Sequence, residues 1–140
     1  MNGYKRVLVV DDDDTIRQLL GINLLAEGID VDSVADAEAA RDAAWADPPD
    51  LILLDVMMPG MDGLDLLRLL RGDPRTAHIP VILLTACSTD AEVWAGWAAG
   101  ADYYLTKPFD VHELLDFIED LGRGDDAGDR DPGLLGLTDV

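Results

Sequence analysis

The sequence predicts an α/β protein, a doubly wound five-stranded parallel sheet in the order 2-1-3-4-5 with helices on both faces. Four short apolar runs carry this reading: Val7-Leu8-Val9-Val10, Leu51-Ile52-Leu53-Leu54, Val81-Ile82-Leu83-Leu84 and Tyr103-Tyr104-Leu105. They are too short for helices and too uniformly apolar for a one-sided sheet, so they read as strands covered on both faces. Segments of helical spacing lie between them, and strand alternating with helix implies right-handed crossovers and parallel pairing. A fifth segment, Ile29-Asp30-Val31-Asp32-Ser33-Val34, alternates apolar with polar residues as a half-exposed edge strand does. An edge strand in second place sets strand one beside strand three, with the switch point of the winding between them.

Strand one, about residues 5 to 10, gives way at Asp11-Asp12-Asp13-Asp14 to a helix with Ile16, Leu19, Leu20 and Leu24 at helical spacing. Asp14 can cap it, while Thr15 with Gln18 fits a capping box one residue later, and the sequence does not choose between them. Gly28 ends the helix before strand two. The second helix, Asp36 to about Ala46, is alanine-rich and stopped by Pro48-Pro49. Strand three ends in Asp55; after Asp62-Gly63 a third helix, Leu64 to Arg71, closes at Gly72-Asp73-Pro74.

Strand four runs to Thr85. Ser88, Thr89 and Asp90 are candidate caps for a fourth helix reaching Ala99, with Gly100 as its stop. Strand five is Asp102 to Leu105, and Asp110 with Glu113 makes a cap and capping-box partner for a fifth helix striped by Val111, Leu114, Leu115 and Ile118. Residues 1–121 therefore read as one domain. Residues 122–140, acidic and rich in Gly and Asp, have little to bury and are expected to be disordered, Leu134-Leu135-Gly136-Leu137 included.

Ten basic against twenty-nine acidic residues give a formal charge of −19. Such a surface repels nucleic acid and anionic membranes, so no direct nucleic-acid or membrane contact is expected. Cys87 is the only cysteine, which rules out an intrachain disulfide and points to a reducing compartment. The apolar run after Arg6 is far too short for a signal peptide, and no run could span a membrane, so the expected location is cytoplasmic. His78 and His112 are expected on the surface.

The polar residues that end the strands define the candidate site. If the four apolar runs are parallel, Asp11, Asp12, Asp55, Thr85 and Lys107 converge on one sheet edge, where open α/β sheets bind ligands. Three carboxylates within a few Å cannot all stay ionised at neutral pH without a cation, because like charges raise one another's pKa. A hard, oxygen-rich site with open positions suits Mg²⁺, with Mn²⁺ as the alternative ion. Lys107 and Thr85 supply what a phosphoryl group requires on its other side, a point charge and a hydroxyl donor.

These motifs together, Val-Leu-Val-Val-Asp-Asp-Asp, Leu-Ile-Leu-Leu-Asp-Val-Met-Met-Pro-Gly-Met-Asp-Gly, Val-Ile-Leu-Leu-Thr-Ala and Gly-Ala-Asp-Tyr-Tyr-Leu-Thr-Lys-Pro-Phe, resemble the receiver (response-regulator) domains of two-component signalling over about residues 4 to 121. The resemblance implies a flavodoxin-like fold and a signalling phosphoacceptor that catalyses only its own phosphorylation and dephosphorylation. It implies that Asp55 accepts a phosphoryl group from a sensor histidine kinase or phosphotransfer protein. It further implies that Asp12 binds Mg²⁺ directly, Asp11 binds it through water, and Asp55 and the Met57 backbone carbonyl complete the protein ligands. Thr85 and Lys107 would contact the phosphoryl oxygens, Thr85 and Tyr104 would form the switch, with Tyr104 rotating inward on phosphorylation, and Lys107-Pro108 would be cis.

The resemblance also assigns the partner face to helix four, strand five and helix five. Trp94 and Trp97 are i, i+3 neighbours on helix four, and at least one is expected to be exposed there, near Tyr104 and Leu115. Between Arg75 and Arg123 the only Lys or Arg is Lys107, so a homodimer through helices four and five would be apolar rather than charge-latched. Met57 and Cys87 flank the path of a water attacking the phosphoryl group in the resembling family. Both are weak hydrogen-bond partners, so hydrolysis is expected to be slow. Two other settings stay open. The chain can be the N-terminal receiver portion of a longer DNA-binding or enzymatic regulator. Asp11-Asp12-Asp13-Asp14-Thr15 also fits the start of haloacid-dehalogenase-type phosphohydrolases, with Asp11 as nucleophile and Asp13 as general acid, although the later acidic pair such enzymes share is met only by Asp125-Asp126.

Overall fold

The computed structural model describes residues 4–86 and 89–122. Within them strands and helices alternate throughout: β1 (Arg6–Val10), α1 (Asp14–Ala26), β2 (Asp30–Val34), α2 (Ala37–Ala46), β3 (Leu51–Asp55), α3 (Gly63–Arg71), β4 (Val81–Thr85), α4 (Asp90–Ala99), β5 (Tyr103–Thr106) and α5 (Val111–Gly122). Every pairing is parallel and the order is β2-β1-β3-β4-β5, the predicted doubly wound topology. Cys87, the candidate cap Ser88, and residues 123–140 with Asp125-Asp126 and Leu134 to Leu137 lie outside the described residues. Among the described residues no helix is long and apolar enough to cross a membrane.

Strand alternation splits the core in two. Leu8, Val10, Ile52, Leu54, Val81, Leu83 and Tyr104 face one layer, with α2, α3 and α4. Val7, Val9, Leu51, Leu53, Ile82, Leu84 and Leu105 face the other, with α1 and α5. The three central strands β1, β3 and β4 show almost no exposed side chain, as uniformly apolar strands covered on both faces should. Each fully buried Val, Leu or Ile contributes about 1.5–3 kcal/mol relative to exposure, which is what holds the sheet edge and its polar residues in register.

Helix starts follow the side chains that reach orphan amides. Asp36 accepts from the Ala39 amide at 2.8 Å, and Asp62 from Asp65 at 2.9 Å. Thr89 and Glu92 form a reciprocal capping box at α4. At α5 the Asp110 carboxylate accepts from the His112 amide at 2.8 Å. The start of α1 differs from both sequence alternatives: Asp13 is the cap, its carboxylate accepting from the Thr15 amide at 2.8 Å and from Ile16. The reason lies one turn back, where Asp11 accepts from the Asp13 amide at 2.9 Å and thereby sets the turn.

Arg71 braces the opposite end of the sheet. Its guanidinium donates to the carbonyls of Gly100 (3.0 Å), Ala77 (3.2 Å) and Ile79 (2.6 Å) and to the Asp102 carboxylate (2.9 Å). Asp102 also accepts from the Val81 amide at 2.8 Å, so one ion pair ties the end of α3 to the starts of β4 and β5. Gly100, at φ +108°, turns α4 out of the helix directly against the Arg71 side chain.

Candidate functional site

The carboxyl ends of β1, β3 and β5 bring Asp11, Asp55 and Lys107 together because β1 pairs with β3, β3 with β4, and β4 with β5. One carboxylate oxygen each from Asp11, Asp12 and Asp55 lies within 4.8 Å of the others. Asp11 and Asp55 are buried, at 2% and 5% exposure, while Asp12 is exposed. The Lys107 ammonium spans the two buried groups, 2.7 Å from Asp11 Oδ2 and 3.4 Å from Asp55 Oδ2. Its backbone amide donates to the Thr85 carbonyl at 2.8 Å, which fixes the base of that side chain on β4. The Lys107-Pro108 peptide is cis.

The electrostatics of this cluster are unbalanced. Burial first, and the Asp11 charge second, push the Asp55 carboxyl up from 3.8 to about 6, against the opposing pull of Lys107 and the Met57 amide. Burial works to lower the Lys107 ammonium, but the hydrogen bond to Asp11 and the Asp55 charge outweigh it and hold the pKa above the usual lysine value. Three carboxylates against one ammonium leave two excess negative charges when all are ionised. A small divalent ion offsets such a deficit, and oxygens within 4.8 Å of one another can converge on one Mg²⁺. The donor set is oxygen only among the described residues, which suits a hard cation and not a thiophilic metal.

The sequence-predicted residues fall into two groups. Asp11, Asp12, Asp55 and Lys107 meet, and Thr85 closes β4 next to Leu84, the register partner of Asp55. Met57 donates its amide to Asp55 Oδ1 at 3.2 Å while its side chain is 62% exposed. Tyr104 does not join them: its ring is buried on β5, 6.4 Å between centroids from Trp97. The two indoles diverge, Trp94 being 73% exposed and Trp97 packed on the core beside Tyr104. Leu115 packs partly buried on the opposite core layer. His78 and His112 are exposed and away from the cluster.

Sequence reasoning missed three supports. Arg17 donates to the Asp11 carbonyl at 2.6 Å and pairs with Asp14, holding the β1 terminus; the i, i+3 spacing of Asp14 and Arg17 was the available signal. Gly63 opens α3 so close to β3 that a Cβ there would overlap the Asp55 carbonyl oxygen and lie 2.8 Å from Val56 Cα. Its amide donates to the Val56 carbonyl at 2.9 Å, pinning the loop behind the carboxylate. Gly96 does the same for Tyr104, whose ring lies 3.1 Å from where a Cβ would stand.

The family model described as the response regulator receiver domain matches residues 7–119. The chain is similar to the DNA-binding dual master transcriptional regulator RpaA of Synechocystis sp., 45% identical over 121 residues, which cover 86% of this chain and 50% of RpaA. It is 39% identical over 136 residues to the DNA-binding response regulator MtrA of Mycobacterium tuberculosis, covering 97% of this chain and 58% of MtrA. The chain thus spans about half the length of the curated relatives it matches. Among solved structures, the Francisella response regulator 1452 receiver domain superposes with a TM-score of 0.80 at 34% identity, covering 87% of this chain and 99% of that one.

Proposed function

The chain belongs to the response regulator receiver family, and on that premise we propose that Asp55 is its phosphoacceptor, taking a phosphoryl group from the phosphohistidine of a sensor kinase or phosphotransfer protein. The observation that carries the reading is the buried Asp11–Asp55 pair spanned by Lys107, with Asp12 beside it. A carboxylate whose pKa is held near 6 is mostly ionised at neutral pH and free to attack phosphorus. One Asp55 oxygen forms the new O–P bond as the N–P bond of the donor, protonated at its other ring nitrogen, breaks, giving an acyl phosphate and a neutral imidazole. The Met57 amide holds Oδ1 of Asp55, leaving Oδ2 facing Lys107. Lys107 then donates to a phosphoryl oxygen, with the Thr85 hydroxyl as the second donor.

Asp11, Asp12, Asp55 and the Met57 carbonyl would hold Mg²⁺ or Mn²⁺, whose charge offsets the dianion being transferred. Thr85 and Tyr104 would pass the change in charge to the α4–β5–α5 face. There Trp94 offers an exposed apolar contact for a partner or for a second copy of the chain. The proposed setting is cytoplasmic. Intact-mass measurement after incubation with acetyl phosphate and Mg²⁺ tests the site: one phosphoryl per chain is expected, abolished by chelator or by Asp55→Asn. Label that survives either treatment refutes the assignment.

A second reading concerns the whole protein. The matched relatives extend about twice as far as this chain, and two of them are named as DNA-binding regulators, which favours a receiver portion of a longer regulator. The expectation of no nucleic-acid contact, read from charge, finds no support in these relatives, which are named as DNA-binding. The phosphohydrolase reading is disfavoured, because the family model that matches residues 7–119 is the receiver domain's and Asp13, its general acid, caps α1 through Oδ1.

A further inference from the structure

We propose that the exposed apolar stripe of α1 is a docking surface for this chain's own Leu134-Leu135-Gly136-Leu137 segment, which covers it against other proteins. Of the large apolar side chains exposed among the described residues, three stand on α1: Leu19 at 41%, Ile22 at 69% and Leu25 at 58%. Their i, i+3, i+6 spacing puts them on one side of the helix, while Leu20 and Leu24 fill the core on the other. Single exposed apolar residues are ordinary, but a contiguous stripe marks an interaction surface. The stripe is also free of carboxylates in a chain of formal charge −19. From Thr15 to Ala26 the only ionisable residue is Arg17, and it is committed to the Asp14 carboxylate and the Asp11 carbonyl.

Position, reach and charge choose the occupant. Helices α1 and α5 both start at the carboxyl edge of the sheet, after β1 and β5, and pack on the same layer, Leu20 and Leu24 of α1 with Leu114, Ile118 and Leu121 of α5. They touch each other and end at the same, amino edge, so the chain leaves α5 at Gly122 near the end of α1. Residues 123–133 span at most about 36–40 Å, at 3.3–3.6 Å each, whereas the 13 residues of α1 make a helix about 20 Å long. Leu134 can therefore reach any part of the stripe. In residues 123–139 the only large apolar side chains are Leu134, Leu135 and Leu137, and Pro132 to Thr138 carries no charge. Alone this segment has little to bury; on α1 it meets apolar surface without bringing a carboxylate onto it.

A second copy of the chain fits the stripe less well. Three partly exposed side chains fall well short of the ~800 Å² per partner that a stable interface buries, and two chains of this charge repel each other. Tethering makes the docking intramolecular, at an effective concentration of about millimolar, so a contact too weak to hold separate molecules suffices. A protein that docks on α1 must first displace the segment. If the stripe is covered roughly nine-tenths of the time, the apparent affinity of such a partner falls about tenfold.

Methyl NMR of the full chain, labelled at Ile and Leu, tests this beside the variant Leu134→Ser/Leu135→Ser/Leu137→Ser. Expected are through-space contacts from the Ile22 methyl to the leucines of residues 134–137 within one molecule. In the variant these contacts should vanish, with a shift of the Ile22 signal and none at Ile52, which is buried in the other core layer. A synthetic peptide of residues 130–140, added to the variant, should restore the wild-type Ile22 signal only at about millimolar concentration. Identical Ile22 signals in wild type and variant, a shift at Ile52 as large as at Ile22, or a peptide without effect at about 10 mM overturns the proposal. Contacts found only between differently labelled copies also overturn it, and assign the stripe to a second copy.

Discussion

Replacing Asp55 by Asn should stabilise the protein while abolishing its phosphorylation. The wild-type carboxyl titrates near 6 instead of 3.8, so ionising it costs the fold about 3 kcal/mol, at roughly 1.4 kcal/mol per pKa unit. Because the folded-state value lies above the unfolded one, the protonated carboxyl's full contribution is present below pH ~4. It is lost as pH rises through about 6. Asn keeps the volume and removes the charge, but its buried amide finds imperfect partners, at a cost of about 1–2 kcal/mol. The net gain expected at pH 7.5 is therefore about 1–2 kcal/mol, or a rise in Tm of about 4–8 °C for a domain of this size. At pH 4.5 most of the difference should vanish, since wild-type Asp55 is then largely protonated. Thermal melts of both proteins across pH 4 to 8, with and without Mg²⁺, measure this, and Mg²⁺ should raise the wild-type Tm more than the variant's. A variant no more stable than wild type at pH 7.5, or a gain of equal size at pH 4.5, refutes the reasoning.

Lys107→Ala leaves Asp11 and Asp55 facing each other without their cation, so it should lower stability by about 1–3 kcal/mol at pH 7.5 and recover much of that at pH 4.5, as read from paired denaturant melts. Gly63→Ala forces a methyl against the Asp55 carbonyl and should cost about 2–3 kcal/mol; urea unfolding gives the cost, and acetyl phosphate labelling should be slowed in the folded fraction. Arg71→Ala strips three carbonyls and Asp102 of one shared donor and should destabilise by about 2–3 kcal/mol, with amide exchange rising first at Gly100 and Val81.

Four of the five strands were legible because each is an apolar run with a polar stop, as strands covered on both faces demand, and β2 by the alternation of an edge strand. The convergence of Asp11, Asp55 and Lys107 followed from parallel topology alone, since strands running the same way end on the same edge. What the residues could not disclose depends on three-dimensional closure. Four consecutive aspartates offer several comparable caps, and the choice of Asp13 is made by the turn that Asp11 imposes. Trp94 and Trp97 share helical spacing, yet Gly96 admits the Tyr104 ring so closely that only Trp97 packs inward beside it. The Arg71 brace joins residues up to 31 positions apart and leaves no local signal.

That brace makes α4 a lever with one end pinned. Gly100 is held by Arg71, whose other contacts anchor it to Ile79 and Asp102, so the carboxyl end of the helix has little room to travel. The amino end, from Thr89, follows directly after the two positions beyond Ala86 and places Glu92 along the same groove as Met57. A charge change at the site that displaces α4 therefore turns it about its carboxyl end, and the displacement grows toward the amino end. Trp94, one turn from that end and already facing water, sweeps a longer arc than Trp97.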